Sequence, residues 1–259
     1  MTVMNTRTDR LLAGACMALA MTLAPLTAAH AQSDDFGIWL DAGAEKKLDS
    51  HWSVSGELEM RTRNNTRTLS RLAGISVGGE YKIIRGLKAS AGYTLIWDNN
   101  PEELDMKSDN LTPNKWTPGY RAVRHRTHVT LAGSLSIGRL GLSLRERWQY
   151  TYRPAAEGKR YDIDEAAWTN IRGKGKNVWR NRLLIDYDIA HCKADPFASA
   201  EMFTAKGGIQ KMRYAVGIDY KIRKQHTLSI SYKYQDVTSD DDDMESNSHI
   251  LGIGYKYKF

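Results

Sequence analysis

The feature that most constrains the fold of this chain is a period-two alternation of apolar and polar residues. In residues 87–98 the apolar series is Leu87, Ala89, Ala91, Tyr93, Leu95 and Trp97, and the residues between them are mostly polar or small. Successive side chains of an extended strand point to opposite faces, so this alternation puts apolar groups on one face. The pattern predicts a strand that separates an apolar environment from a polar one.

The same alternation recurs in ten segments: 51–61, 69–83, 87–98, 123–137, 140–153, 179–189, 196–204, 212–222, 226–234 and 251–259. Most reach the roughly 9–11 residues that a tilted strand needs to cross a bilayer. Tight turns at 85–86, 138–139 and 223–225 are interleaved with long polar connections at 99–120, 154–176 and 237–247. Short turns at one end and long loops at the other are typical of outer-membrane proteins. We therefore predict an all-β fold, a transmembrane antiparallel up-and-down β-barrel.

The number of strands is left open by the sequence. Residues 36–48 form an eleventh alternating segment, with Phe36, Ile38, Leu40, Ala42 and Ala44 on one face. Bacterial single-chain barrels normally have an even number of strands. Either this segment folds inward or pairs partially, or the barrel has twelve strands. The prediction is a barrel of 10 to 12 strands.

The N-terminus has the pattern of an export signal. Arg7 and Arg10 precede an apolar stretch at 11–26, and Ala29-His30-Ala31 fits a small-x-small cleavage site. We predict a signal peptide at 1–31 and a barrel domain at 32–259. Cys192 is then the sole cysteine of the mature chain, which excludes an intrachain disulfide. The net charge of +7 is spread along the chain, so nucleic-acid binding is not expected.

The last strand carries a second targeting feature. Tyr255, Tyr257 and the terminal Phe259 lie on one face of an alternating segment. A C-terminal aromatic residue of this kind resembles the signal read by the outer-membrane barrel assembly machinery. Together with the export signal, it predicts the outer membrane of a Gram-negative bacterium, with membrane lipid and lipopolysaccharide as partners.

The polar faces of the strands would line the barrel lumen. By parity, they carry a charge cluster of Glu57, Glu59, Arg61, Arg124, Arg126, Arg145, Arg147, Arg180, Arg182, Glu201 and Arg213. One interpretation is a plug of salt bridges inside a structural envelope barrel, because facing charges pair when they are buried. The other is a narrow passive channel for small anionic solutes, with Arg124, Arg126, Arg145 and Arg147 setting its selectivity.

An outer-membrane hydrolase of the protease or phospholipase type, with an active site at the extracellular rim, is an alternative of another class. Its candidate residues are His125, His128 and His249, with Asp98 at the end of a neighbouring strand. Only His128 has lumen parity, and no Ser-His-Asp order stands out, so we expect no enzyme activity. We find no metal-ligand cluster and expect no cofactor. The acidic run 240–245 is expected to be a solvated loop rather than a calcium site.

Several short motifs resemble one family, DUF2490, over nearly the whole mature chain. They are Trp39, Lys47-Leu48, Glu57-Leu-Glu59-Met-Arg61, Arg124-His-Arg126, Arg145-Glu-Arg147, Pro196-Phe to Glu201-Met-Phe203, Arg213 to Gly217 and the closing Tyr-Lys-Tyr-Lys-Phe. The resemblance implies an outer-membrane barrel without an established activity.

One residue breaks the alternation of apolar and polar residues, since Glu146 falls on the apolar face of its strand. Either a bulge lies there or the inferred register is off by one.

Overall fold

The computed structural model describes residues 34–238 and 246–259. The predicted signal peptide and the acidic run 240–245 lie outside these residues, so both remain predictions. Nowhere in the described part of the chain is there a helix long and apolar enough to cross a membrane.

The described residues form fifteen strands. In chain order they are β1 (Asp35–Lys47), β2 (Trp52–Arg63), β3 (Thr68–Ile84), β4 (Leu87–Asn100), β5 (Glu103–Met106), β6 (Pro113–Thr117), β7 (Tyr120–Ile137), β8 (Leu140–Arg153), β9 (Ala156–Asp162), β10 (Ala167–Ile171), β11 (Lys174–Tyr187), β12 (Ala194–Ala205), β13 (Gly208–Arg223), β14 (His226–Val237) and β15 (Ser248–Lys258). Eleven of them close into a barrel, in the order β1-β15-β14-β13-β12-β11-β8-β7-β4-β3-β2. The predicted barrel fold is confirmed.

The barrel closes through a parallel pair of strands. The first strand, β1, pairs with the last, β15, in parallel from Asp35↔Ser248 to Glu45↔Lys258, whereas the other ten neighbouring pairs are antiparallel. An odd number of alternating strands makes the first and last strands run in the same direction, which requires this parallel seam. The segment 36–48 is therefore a full barrel strand, and the purely antiparallel description is corrected at this one pair.

The two faces of the wall differ as the alternation predicts. Large apolar side chains are exposed on the outer face, among them Leu58, Ile75, Val77, Val129, Leu131, Leu144, Leu183, Ile218, Ile230 and Ile253. Glu146 also lies on this face, because β8 pairs with β7 and β11 without a register shift. Neither a bulge nor a register error accounts for its position.

The two ends of the barrel have different connections. At one end, which we call the turn end, residues 85–86, 138–139 and 224–225 form tight turns. Gly86 and Gly138 adopt left-handed φ angles of 86° and 62° there, a conformation that glycine adopts without a steric penalty. The opposite end, which we call the loop end, has the long connections at 101–119, 154–173 and 238–247.

Two of these long connections fold together into a second sheet. Strands β5 and β6 form one hairpin, β9 and β10 form another, and β6 pairs with β9 through Lys115↔Asp162 and Trp116↔Tyr161. We call this four-stranded unit the cap sheet. Ring contacts on one face support its pairing. The ring centroid of Trp168 lies 5.9 Å from that of Trp116 and 5.4 Å from that of Tyr161. From the sequence both segments are expected to be loops, because strands of four to seven residues are too short for their alternation to be recognised.

Candidate functional site in the barrel lumen

A carboxylate at the centre of one barrel wall is surrounded by arginines. Glu201 on β12 contacts Arg145 Nη2 at 2.5 Å, Arg180 Nη2 at 2.9 Å and Arg213 Nη1 at 3.6 Å. The register explains the convergence, since Arg145, Arg182, Glu201 and Arg213 are successive partners across β8, β11, β12 and β13. Glu201 is only 5% exposed, so its charge depends on these guanidinium groups.

A second group of ion pairs crosses the strands on the other side of the lumen. Glu59 on β2 binds Arg61 at 2.7 Å and also pairs with Arg71 on β3. Arg71 Nε in turn lies 3.0 Å from Asp98 on β4, and Arg124 Nε on β7 lies 3.2 Å from the same carboxylate. These contacts link four consecutive strands of the barrel.

Arg71 is central to this group but was absent from the predicted cluster. The pairing of β3 with β4 shifts in register between Arg71 and Ala73. This irregularity brings the odd-numbered Arg71 to the inner face, whereas the even-numbered Glu80 and Lys82 are the inward residues farther along β3. A parity argument that assumes an unbroken strand therefore misses it.

Aromatic side chains connect the two groups. The guanidinium of Arg61 stands 3.9 Å from the ring centroid of Trp39, and that of Arg213 stands 4.7 Å from the same ring. Phe203 has Arg180 and Arg213 over its ring at 4.7 and 4.8 Å. Such cation–π contacts stabilise guanidinium groups that are withdrawn from water. Trp39 belongs to β1, the strand whose role the sequence left open.

Three further arginines of the predicted cluster have no carboxylate partner. Arg126 Nε donates to Thr151 Oγ1 at 3.2 Å, and Arg147 Nε donates to Thr130 Oγ1 at 2.8 Å. Arg182 Nε has no hydrogen-bond partner. Among the described residues, none of the three lies within ion-pair distance of Asp or Glu. The lumen thus has a local excess of positive charge on β7, β8 and β11.

Three acidic residues gather on the first two strands. Side-chain oxygens of Asp41, Glu57 and Glu59 lie within 4.8 Å of one another. Sequence reasoning missed this group because Asp41 lies on the strand whose pairing was undecided. Carboxylate oxygens suit hard cations, but Glu59 is already paired with Arg61 and Arg71. We assign no metal ion to the group.

Two cavities occupy the lumen. The one towards the loop end has a volume of about 1060 Å³ and is bounded by Arg61, Arg126 and Arg180 and by the inner face of the cap sheet. The one towards the turn end has a volume of about 390 Å³ and is bounded by Arg182, Glu201 and Lys233. Arg213 lines both cavities. We call the side chains between them the charged layer; its members are Trp39, Glu59, Arg61, Arg71, Arg126, Arg145, Arg147, Arg180, Glu201 and Arg213.

The remaining candidate residues lie elsewhere. Tyr255, Tyr257 and Phe259 are at the turn end, where Phe259 N–H donates to Glu45 O at 2.9 Å, and their role in assembly remains a prediction. His125 Nδ1 and His249 Nδ1 bond to the phenol groups of Tyr93 and Tyr232, both at 2.6 Å.

The three candidate histidines have different surroundings in the part of the barrel that the structure describes. His249 Nε2 lies 3.5 Å from Asp34, and two tyrosine phenols join that pair: Tyr232 bonds to His249, and Tyr234 donates to Asp34 Oδ2 at 3.3 Å. His128 faces the lumen and bonds to neither a serine nor a carboxylate among the described residues. Among the described residues, these three histidines therefore have no serine nucleophile beside them.

Comparisons with known proteins agree with this fold. A family model described as "Protein of unknown function (DUF2490)" matches residues 36–246. Among solved structures, the beta domain of the Bordetella autotransporter Brka is 14% identical, with a TM-score of 0.53, over 81% of this chain and 82% of that one. At this identity the likeness concerns the fold alone.

Two other solved barrels are more distant. A NanC porin is 15% identical over 87% of this chain and 99% of its own, with a TM-score of 0.45. A CymD monoaromatic hydrocarbon channel is 8% identical over 75% of this chain and 66% of its own, with a TM-score of 0.38. No curated protein matches the chain.

Proposed function

The chain belongs to the family described as protein of unknown function DUF2490, and from this premise we propose that it is a narrow passive channel for small anions in the outer membrane of Gram-negative bacteria. The apolar outer face and the closed wall support the membrane location, because a closed barrel leaves no unpaired strand edge in lipid. The membrane lipid, lipopolysaccharide and the barrel assembly machinery are its proposed partners.

The observation that carries the proposal is the arginine excess in the charged layer. Among the described residues, Arg126 and Arg147 donate only to threonine hydroxyls, and Glu201 has three arginines for one carboxylate. An array of like charges in a constriction attracts counter-ions and repels co-ions. Anions entering the larger cavity would therefore be favoured over cations at this layer.

A structural barrel that does not conduct is the second candidate. It is favoured by the contacts of Glu201 and Glu59, which cross-link neighbouring strands through the lumen. In that case the arginines serve to hold the wall together, and the two cavities do not communicate.

Single-channel recording distinguishes the two candidates. Residues 32–259 would be refolded, verified as folded, and inserted into planar bilayers under a salt gradient. We expect discrete current steps and a reversal potential that indicates anion preference. Replacing Arg147 by Gln should reduce the permeability ratio of chloride to potassium. Lys88→Gln is the matched control, because it removes the same charge from an inward side chain that pairs with Glu80 outside the charged layer.

The outcome can contradict the proposal in two ways. Verified folded protein that gives no current would favour the structural barrel. Steps without anion preference, unchanged by Arg147→Gln, would separate conduction from the arginine excess.

We also propose that the protein is not a hydrolase. Among the described residues, His125 and His249 bond to tyrosine phenols, His249 also contacts Asp34, and His128 bonds to neither a serine nor a carboxylate. Folded protein should not turn over peptide or phospholipid substrates. Turnover that is abolished by His128→Ala would overturn this expectation.

A further inference from the structure

A glutamate side chain lies among the apolar residues on the outer face of the barrel. Glu146 is exposed on β8, between Leu144 and Trp148 along the strand. Its register partners are Leu131 on β7 and Asn181 on β11. Within the described residues, neither Glu146 nor Asn181 forms a side-chain hydrogen bond or ion pair. The two polar side chains are adjacent to each other, and no described residue of the barrel wall supplies a hydrogen-bond partner to either.

The position of Glu146 makes this arrangement costly. The outward residues of β8 are Leu140, Leu142, Leu144, Glu146, Trp148, Tyr150 and Tyr152, so Glu146 is at the middle of the series. Aromatic residues at one end of this row are typical of the membrane interface. A polar group near the bilayer midplane has no water to bond, and its cost is greatest there. A polar partner from outside the chain would therefore stabilise this side chain.

We infer that the partner is a second copy of this chain, packed against β8 and β11 around a two-fold axis parallel to the barrel axis. The inference rests on the proposed membrane location and is independent of conduction. Glu146 of one copy would bond to Asn181 of the other, and the reciprocal pair would form across the axis. A two-fold contact requires such a self-complementary patch.

The chemistry of the two side chains favours a second copy over an unrelated partner. An amide supplies both donors and an acceptor, and a carboxyl group supplies acceptors and, when protonated, a donor. Glu146 and Asn181 are register partners on adjacent strands, so they lie at similar depth in the membrane. All copies insert in the same orientation, so a two-fold rotation about the membrane normal preserves this depth. The rotation brings Glu146 of each copy opposite Asn181 of the other.

The residues around the pair are matched in the same way. Trp148 pairs with Trp179 on one side of the polar rung, and Leu144 pairs with Leu183 on the other. Trp179, Leu144 and Leu183 are 54%, 53% and 49% exposed, which leaves large apolar surfaces available beside the polar groups. A two-fold axis between β8 and β11 would place Trp148 of one copy against Trp179 of the other, and Leu144 against Leu183.

The test measures self-association of the folded protein in lipid. Donor- and acceptor-labelled protein would be mixed in vesicles, and energy transfer would be followed as the lipid-to-protein ratio is raised. We expect a dimer for the natural sequence, and a dissociation constant at least tenfold higher for Glu146→Leu. Glu146→Leu should fold, because it makes the outer face more apolar. Leu58→Ala on β2 is the matched control and should leave the dimer intact, because Leu58 is a lipid-exposed residue outside this surface.

Disulfide trapping tests the geometry of the contact. In a Cys192→Ser background, protein with Glu146→Cys would be mixed with protein with Asn181→Cys. We expect a disulfide between the Glu146→Cys protein and the Asn181→Cys protein. We expect none when the Val54→Cys protein, with its cysteine on β2, is mixed with either of them. Folded protein that remains monomeric in vesicles, or a dimer unaffected by Glu146→Leu, would overturn the inference but leave the membrane location standing. Failure of the natural sequence to fold into vesicles would instead contradict the membrane location.

Discussion

Two glutamates on opposite faces of the barrel wall have contrasting surroundings. Glu201 faces the lumen, where Arg145, Arg180 and Arg213 approach it from three neighbouring strands. Glu146 faces outward on a nearby strand, and no cationic side chain of the described chain pairs with it. Both residues have the same chemistry, so the difference comes from the side chains that register and parity place around them. The inner face surrounds Glu201 with arginines of the same chain, whereas the outer face offers Glu146 no cationic side chain among the described residues.

The largest expected effect is from removing the charge of Glu201. Glu201→Gln leaves three arginines without their shared carboxylate, and breaking a buried ion pair from one side costs about 3–5 kcal/mol. Equilibrium unfolding from lipid vesicles would measure the loss of free energy of unfolding. Ser199→Ala, on the same face of β12, is the control and should change little. A loss equal to that of the control would show that the arginines do not need Glu201.

A smaller effect is expected from adding a charge to the outer face. Leu95→Arg should destabilise the inserted barrel by about 2–4 kcal/mol, the cost of a cation at the bilayer midplane. Asn181→Arg should cost less, because the new guanidinium lies beside Glu146. The same unfolding measurement compares the two variants. Equal costs would contradict the placement of an unpaired Glu146 on the outer face.

The smallest effect concerns a carboxylate that is fully solvated. Asp109 lies at the tip of the β5–β6 hairpin, where the hydroxyl of Thr112 and the backbone N–H groups of Thr112 and Leu111 lower its pKa to about 2. Because the folded pKa lies below the unfolded value, its contribution to the hairpin is present above about pH 4 and is lost as the pH falls through 2. Carboxyl NMR should give a midpoint near 2, and Thr112→Ala should raise it. A midpoint near 4 in the natural sequence would contradict the loop geometry.

Parity of the alternating segments accounted for most of the wall, because a closed barrel translates period two directly into inside and outside. It could not find Arg71, since the register shift in β3 is set by pairing with β4 and not by the local pattern. It could not fix the strand count either, because the role of β1 depends on whether β15 is free to accept it. The cap sheet was missed because its strands are stabilised by contacts between two loops that are distant in sequence.

The cluster at Glu201 illustrates the same limit at the level of a site. The sequence indicated that Arg145, Arg180, Arg213 and Glu201 share a face, but the identity of the arginines that reach the carboxylate follows from strand order. Arg147 and Arg126 also lie on the inner face, but they donate to threonine hydroxyls and form no ion pair with Glu201. The strand order must therefore be known before one can say which lumen arginines form ion pairs and which do not.

The parallel seam between β1 and β15 also determines the path of the chain during insertion. With eleven strands, Asp35 is at the loop end while Phe259 is at the turn end. In the proposed outer membrane the short turns would face the periplasm, and a barrel with an even count would leave both ends on that side, from which the polypeptide arrives. With eleven strands, the proposed insertion would require the first strand to carry its own N-terminal end across the bilayer. A small epitope placed just before Asp35 should therefore be detected by antibody on intact cells, and an epitope after Phe259 should be detected only once the envelope is opened.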